Sequence, residues 1–432
     1  MKQIKLKVNH LKRNTNISYI RQYLNTLGIE KIESFINQPE EVDEEDPLHF
    51  DNMKTAVGVA HTMLSNGAKV FVQVDSDTDG YTSSSILINY IKRRFPNNEI
   101  IWRLHKGKEH GIIVDTVPED CNLVFIPDAG SNQFEEHKAL AKMGKTIIVL
   151  DHHEVTEKEQ LLNTPAIIIN NQLSPNYINK SLSGAGVVYK FIKEMDREFY
   201  PNDHIYHDYG DLAAIGIIAD AMNMTTLDNN YIAYWGLSHI HSKFIRELAL
   251  KQSRGVKNPD HLTKIDVAFY IAPVINGVIR SGSQEDKEMT FGAMIDNEDT
   301  NLYEHTWRGV TKMETLWERA ARNAVNAKSR QDASKKKSFE WLCEKIRKEG
   351  WDNHNIIIAI LDAKESIKVS PNITGLIAME LVKEFNKPAL VLRDTEFNGE
   401  HVYGGSGRNG NFYGLPDLKA MLKEAGGLYQ EG

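Results

Sequence analysis

The stretch Lys69-Val70-Phe71-Val72-Gln73-Val74-Asp75-Ser76-Asp77-Thr78-Asp79-Gly80 joins a short β-branched run to three aspartates at alternate positions. A strand covered on both faces is apolar nearly throughout, so the first half reads as a buried strand and the segment after the glycine as a helix. If strand geometry persists through the aspartates, alternate side chains share one face. Three carboxylates on one face repel one another unless cations sit between them. The bland alternative is a polar turn with an aspartate helix cap. A calcium loop of EF-hand type is disfavoured, because the distal glutamate is missing and a strand precedes the loop.

Outward from this stretch, strands and helices alternate. On the N-terminal side, Ile20, Tyr23, Leu24 and Leu27 mark a helix. Residues 38–47 are acidic and proline-bounded, the mark of a surface connection, and a helix over about 52–65 ends before Asn66-Gly67. On the C-terminal side, 82–94 is an amphipathic helix, while 123–126 and 146–150 are short apolar strands. The pattern predicts βαβ units around a mostly parallel sheet flanked by helices, an α/β class. Residues 212–219, rich in Ala, Ile and Gly, form a buried helix, and helical periodicity continues past Ile232 to about Arg254. A second alternating region begins near Phe291. It holds a charged helical stretch over 303–349, with Lys335-Lys336-Lys337 on a solvated face, and strands at 356–361 and 389–392. No fixed-period repeat or low-complexity segment interrupts this order.

At 432 residues the chain is long for one domain and suggests two. With 41% hydrophobic and 25% charged residues, it has an ordinary soluble composition. No apolar run reaches the roughly 18 residues of a membrane helix. The basic start MKQIKLKVNHLKRN lacks the apolar stretch of a secretory signal. Cys121 and Cys343 are far apart, so a disulfide framework is not expected and a reducing cytoplasm is the default compartment. The net charge of −8 argues against a nonspecific DNA coat, although a carboxylate-rich metal site adds negative charge that cations offset.

Three further groups join the aspartates. Asp128-Ala129-Gly130-Ser131 follows the 123–126 run, and Asp151-His152-His153 follows the 146–150 run. Ligand sites of open α/β sheets lie at such carboxyl ends. Asp211 and Asp220 bracket an apolar helix, and an acid buried there caps a neighbour or meets a cation. Oxygen ligands suit Mg²⁺ and Mn²⁺, and imidazole moves the balance toward Mn²⁺. Two such ions about 3.5–4 Å apart can clamp a phosphate, activate water and stabilise a leaving oxygen. No Walker-type phosphate loop is present.

On these residues the chain resembles the DHH phosphoesterase superfamily, and within it the RecJ-like single-strand exonucleases. Asp151-His152-His153 is the name-giving motif, Asp75 to Gly80 the first motif, and Asp128 and Asp220 stand at the second and fourth. Leu27-Gly28-Ile29, Phe35, Pro39, Asp46-Pro47 and Met53 resemble the RecJ lead-in, and Arg103…His110-Gly111-Ile112 the segment after the first helix. Ser183-Gly184-Ala185-Gly186-Val187 resembles the third-motif loop, and Pro273-Val274-Ile275-Asn276-Gly277 with Arg280 the Pro-x-x-Asn segment. Thr374-Gly375-Leu376-Ile377-Ala378, Lys387-Pro388 and Gly405-Ser406-Gly407-Arg408 resemble the DHHA1 domain.

The resemblance implies a DHH catalytic domain over 1–232, a helical linker over 233–285 and a smaller α/β DHHA1 substrate-binding domain over 286–432. It implies that Asp75, Asp77 and Asp128 hold one Mn²⁺ or Mg²⁺ ion, and that Asp79, Asp128, His152 and Asp220 hold a second. Asp128 would bridge, and His153 would face the substrate phosphate. The catalytic set is then Asp79, Asp128, His152 and His153, while Ser406 and Arg408, with Arg280, grip a nucleic-acid phosphate. Where the DHHA1 domain carries Gly-Gly-His, Gly426-Gly427 is followed by Leu428, so this domain is expected to be truncated and its clamp incomplete. The implied activity is 5′→3′ exonuclease action on single-stranded DNA. A short-oligonucleotide or cyclic-dinucleotide phosphodiesterase is the alternative. A non-catalytic DNA-binding replication scaffold is another, but scaffolds usually lose the acidic ligands, which this chain keeps.

Overall fold

The computed structural model describes residues 18–29, 31–37, 39–106, 109–366, 368–397, 400–410 and 418–424. The basic N-terminal stretch and the Gly426-Gly427-Leu428 site lie outside the described residues. Packing divides the chain into two compact units. The first lies within Met1–Ile279 and Gln284–Asn323, the second within Arg280–Ser283 and Ala324–Gly432.

The first unit is built on a five-stranded parallel sheet. Its strands are β1 (Val70–Val74), β2 (Ile100–Leu104), β3 (Leu123–Pro127), β4 (Thr146–Asp151) and β5 (Ile167–Asn170), in the order β2-β1-β3-β4-β5. Every residue of β1 and β3 is buried, which explains why these strands are apolar but for Gln73, whose Nε2 donates to Arg103 O at 3.0 Å. β2 runs along the edge and is half-buried, with Trp102 and Arg103 interrupting its apolar pattern. The chain leaves β1 toward β2 and then returns to β3 on the other side. This reversal opens a crevice at the carboxyl ends of β1 and β3, where such sheets bind ligands. On one side of the sheet, the helices Thr78–Arg94, Gly184–Phe199 and Gly210–Ala219 pack against one another. On the other, Phe71, Val124, Ile126, Ile147 and Val149 form a core with Leu140 of the helix Phe134–Lys142.

Several expectations shift. The helix after β1 begins at Thr78, because Asp77 caps it by accepting from Gly80 N at 2.9 Å. Strand geometry therefore ends before the aspartates alternate. The segment expected as a linker over 233–285 supplies Phe244, Ile245, Leu248, Ile271 and Ile275 as buried residues, and residues up to Ile279 group with the first unit. The charged stretch expected to be helical from 303 opens instead as a hairpin, β6 (Leu302–Trp307) and β7 (Val310–Thr315). The helix Leu316–Glu349 follows, and the division between units falls inside it. In that helix Lys336 pairs with Glu340 one turn on, as a solvated face requires.

The acidic connection before Pro47 is less superficial than its composition suggests. Lys190, fully buried in the Gly184–Phe199 helix, reaches Glu44 at 2.8 Å, Asp228 at 2.7 Å and the Glu45 carbonyl at 2.7 Å. Lys193 pairs with Glu41 and Glu44. Tyr177 Oη and Asn179 Nδ2 complete Asp228 at 2.6 and 3.0 Å. These contacts lock the helix that carries the third-motif loop at its start.

In the second unit, β8 (Ile357–Leu361) pairs parallel with β9 (Ala389–Phe397), which pairs antiparallel with β10 (Glu400–Arg408). Ile357, Ala359, Leu361 and Val391 share a core with Ile377 and Leu381 of the helix Thr374–Phe385 and with Leu342 and Ile346. Among the described residues no helix is long and apolar enough to cross a membrane.

Removing the buried cation tests the lock. Lys190→Met leaves the buried Asp228 carboxylate without its cation and Glu44 with Lys193 alone, and urea denaturation at neutral pH should show a loss of about 3–5 kcal/mol. A loss below about 1 kcal/mol would show a cluster screened like a surface pair.

Candidate metal centre

The carboxyl ends of the strands present the acidic groups. Asp75 directly follows β1, Asp77 caps the next helix and Asp79 lies in its first turn. Asp128 directly follows β3 in the left-handed backbone region, at φ 61°. Asp151 is the last residue of β4, and His152 and His153 come next. Asp220 ends the Gly210–Ala219 helix as its C-cap.

Among the described residues three groups of potential ligand atoms result, one of them Asp128, Asp151, His152 and His153. One oxygen each from Asp75, Asp77 and Asp128 lie within 4.8 Å of one another, as do ligand atoms of Asp79, His152 and Asp220. His152 Nε2 stands 3.2 Å from Asp128 Oδ1, 3.6 Å from Asp220 Oδ2 and 3.9 Å from Asp79 Oδ2, so it links the sets. Asp211, the partner aspartate read beside Asp220, is elsewhere. It accepts from the His241 and Ser242 amides at 2.9 and 2.7 Å and so anchors the start of the Lys243–Lys251 helix.

Three glycines make room for the cluster. A Cβ on Gly184 would stand 2.4 Å from Asp128 Oδ1, one on Gly216 2.3 Å from Asp79 Oδ1, and one on Gly80 2.7 Å from Asp75 Cβ. The third-motif loop thereby touches Asp79 directly. Ser183 Oγ donates to Asp79 Oδ1 at 2.9 Å, and the Gly184 and Ala185 amides donate to its two oxygens at 2.7 and 3.0 Å. These donors sit at a helix N-terminus, where the dipole favours an anion.

The donor set suits a divalent cation. Asp128 is buried, and its Oδ1 accepts no hydrogen bond from the protein although His152 Nε2 is close. Burial, with Asp79, Asp77 and Asp75 adding repulsion, pushes the Asp128 carboxyl well above the ordinary range. Burial and Asp79 likewise raise Asp77 to about 6, and raise Asp220. A buried carboxylate with an unused oxygen beside a ring nitrogen is what a shared cation requires. Carboxylates with one imidazole match Mg²⁺ or Mn²⁺.

Asp151 plays a different part. It accepts from the Ser131, His152 and His153 amides and from His153 Nδ1, at 3.0, 2.7, 3.2 and 2.7 Å. Burial alone would raise its carboxyl, but the His153 hydrogen bond and charge hold it below the usual range. The same bond raises His153 to about 9, which leaves a half-exposed imidazolium at neutral pH. The sequence reading missed two neighbours. His110 Nδ1 lies 2.9 Å from Asp75 Oδ1, with its ring 6.0 Å from that of His153. Buried His105 donates from Nε2 to Gly111 O at 2.7 Å and stands 3.4 Å from Asp75. His105 follows β2 as Asp75 follows β1, a signal that was lost because edge strand β2 was not recognised.

In the second unit, Ser406 and Arg408 lie on β10, beside the N-terminus of the Thr374–Phe385 helix. Ser406 Oγ and Thr374 Oγ1 share a hydrogen bond at 3.0 Å, and a Cβ on Gly375 would meet an Arg408 guanidinium nitrogen at 2.8 Å. Arg280 joins this unit through its carbonyl, which accepts from Asn372 Nδ2 at 2.6 Å.

The shared protons fix a pH dependence. Asp77 and Asp128 must lose protons before a cation binds. Mn²⁺ affinity, measured by calorimetry, should therefore fall steeply as pH drops through about 6, with protons released on binding. A flat profile over that range would contradict the clustered carboxylates.

Comparison with known proteins identifies the family and the fold. The model of the DHH family N-terminal domain matches residues 69–217. A Bacillus subtilis protein provisionally named the SPbeta prophage-derived single-strand DNA-specific exonuclease YorK is 36% identical over 414 residues, 95% of this chain and 69% of that protein. The single-stranded-DNA-specific exonuclease RecJ of the same organism is 27% identical over 88% of this chain and 45% of its own length. The crystal structure of Thermus thermophilus RecJ in complex with Mn²⁺ superposes with a TM-score of 0.62 at 19% identity, over 80% of this chain and 46% of that one, and shows the shared fold. The chain thus spans about two thirds of the first protein and less than half of the other two. By its ordered motifs, its sheet and its relatives, the chain belongs to the DHH family, in its RecJ-like group.

Proposed function

We propose that this chain is a metal-dependent hydrolase of phosphodiester bonds, a 5′→3′ exonuclease on single-stranded DNA that uses two divalent ions. The observation that carries the reading is the pair of ligand sets meeting at Asp128 and His152. Similarity over 95% of the chain to a protein named as a single-strand DNA-specific exonuclease supports the substrate class. The RecJ-like lead-in from Leu27 to Met53 favours an exonuclease over a short-oligonucleotide or cyclic-dinucleotide phosphodiesterase.

In this reading Asp75, Asp77 and Asp128 would hold one ion, and Asp79, Asp128, His152 and Asp220 the other, and bound ions would supply Lewis-acid activation of the phosphate and of the attacking water. Asp79 is aimed by Ser183, Gly184 and Ala185, which donate to its two oxygens. Asp151 fixes the ring of His153, whose protonated Nε2 then donates to a phosphate oxygen as negative charge builds. His110, fixed by Asp75, adds a second imidazole at the same rim. Ser406 and Arg408 hold a further phosphate, since a helix N-terminus beside a guanidinium fits an anion. Arg280 belongs to the same unit and supports that grip.

End-labelled linear and circular single strands of DNA, incubated with Mn²⁺, test the function. Linear strands should be shortened from the 5′ end and circles spared, with Asp128→Asn inactive and its Mn²⁺ binding lost. Efficient cutting of circles would overturn the exonuclease reading, and full Mn²⁺ stoichiometry in Asp128→Asn would overturn the bridging role.

His153 gives a separate forecast. His153→Gln should lower kcat about 10²–10⁴-fold. The wild-type rate needs the protonated ring, so it falls as pH rises. Because bound cations oppose a nearby imidazolium, this alkaline limb should lie at or below pH 9 in Mg²⁺. An unchanged limb in the variant would assign the titration to another group.

A further inference from the structure

The β6–β7 hairpin belongs to the first unit but adds no strand to its sheet. Arg308 and Gly309 form its two-residue turn, both at positive φ (49° and 78°), the geometry that suits right-twisted strands. Two strands alone bury little, and here Trp307 is 64% exposed and Val310 70%. Large apolar groups left in water at a tip mark a contact surface.

The pairing register says what kind. Tyr303, His305 and Trp307 alternate along β6, so they share one face. Opposite them on that face stand Glu314, Lys312 and Val310. At the inner end of this face Glu314 is buried and neutralised by Lys312 at 3.1 Å and Arg322 at 2.9 Å, and Asp299 accepts from Tyr303 Oη at 2.9 Å, so the open part of the face lies toward Trp307 at the tip. The Arg308 guanidinium lies 5.3 Å from the Trp307 ring centre, and that of Arg319 lies 5.2 Å from Tyr303. In a chain of net charge −8, this face is a row of rings accompanied by cations. Rings two residues apart are separated by about 6.7 Å, which leaves room for one base between them.

We propose that this face is a stacking platform for unpaired nucleotides, with bases on Trp307 and His305 and phosphates beside Arg308 and Lys312. Aromatic rings interleaved with cations bind single strands without reading sequence, because every base offers a π-face. The inference rests on the single-strand reading of the substrate but assigns a contact away from the metal ligands.

Fluorescence anisotropy of the full chain with labelled oligothymidylate of about twenty nucleotides, in EDTA so that no strand is cut, tests it. Trp307→Ala should bind about ten- to hundredfold more weakly, and Trp307→Phe should recover most of the affinity. Met313→Ala, on the opposite hairpin face, should bind as the wild type does. Unchanged affinity in Trp307→Ala overturns the platform while leaving the exonuclease reading intact. Failure of the wild type to bind oligothymidylate overturns the platform, while the exonuclease reading stands or falls on the digestion of end-labelled strands with Mn²⁺. If Trp307→Ala changes only the sedimentation of the protein, the hairpin is a surface for protein contact and the proposal falls.

Discussion

Mutual repulsion among Asp75, Asp77, Asp79 and Asp128 is the constraint around which the first unit is organised. Four buried or half-buried carboxylates within a few ångströms destabilise any fold that does not answer them. The answer comes in two forms. Asp79 is satisfied by the chain itself, through a hydroxyl and two amides at the start of the Gly184–Phe199 helix. Asp128 is not, and its free oxygen is left facing His152. One aspartate of the cluster is therefore structural as well as chemical, while the other is held ready for a cation.

That division explains the packing above the sheet. For the Gly184–Phe199 and Gly210–Ala219 helices to bring backbone against carboxylates, Gly184 and Gly216 must lack side chains. For the first of these helices to stay in place, its far side is tied by Lys190 to Glu44 and Asp228. Metal site and buried ion pairs are thus two faces of one helix.

Much of this was legible in the sequence because burial on both sides leaves an unmistakable mark. β1, β3 and β4 are buried and apolar but for Gln73 and the ends of β4, and the aspartates and histidines that follow stand out by contrast. The edge strand β2 hides behind Trp102 and Arg103, and with it went the sign that His105 and His110 face Asp75. The hairpin was taken for helix because its turn is Arg308-Gly309 rather than Asn-Gly, and because Glu304, Lys312 and Glu314 mimic a charged helical surface. Spacing alone misled at the first motif. The alternation of Asp75, Asp77 and Asp79 suggested a strand, whereas a helix cap turns the chain between them. Asp211 shows the limit of type-based reasoning, since a buried acid beside a metal motif serves only to hold another helix.

The left-handed backbone of Asp128 narrows the mutational neighbourhood of the whole site. Few side chains accept that conformation, and Asp, Asn and Gly are those that do so at least cost. Of the three, only Asp carries charge. Glu keeps the charge, but it is penalised by the backbone and its longer arm would crowd Gly184. Under the proposed role, in which Asp128 shares a cation, a single substitution there gives up the conformation or the charge, and Asn and Gly are the replacements that keep the backbone unstrained.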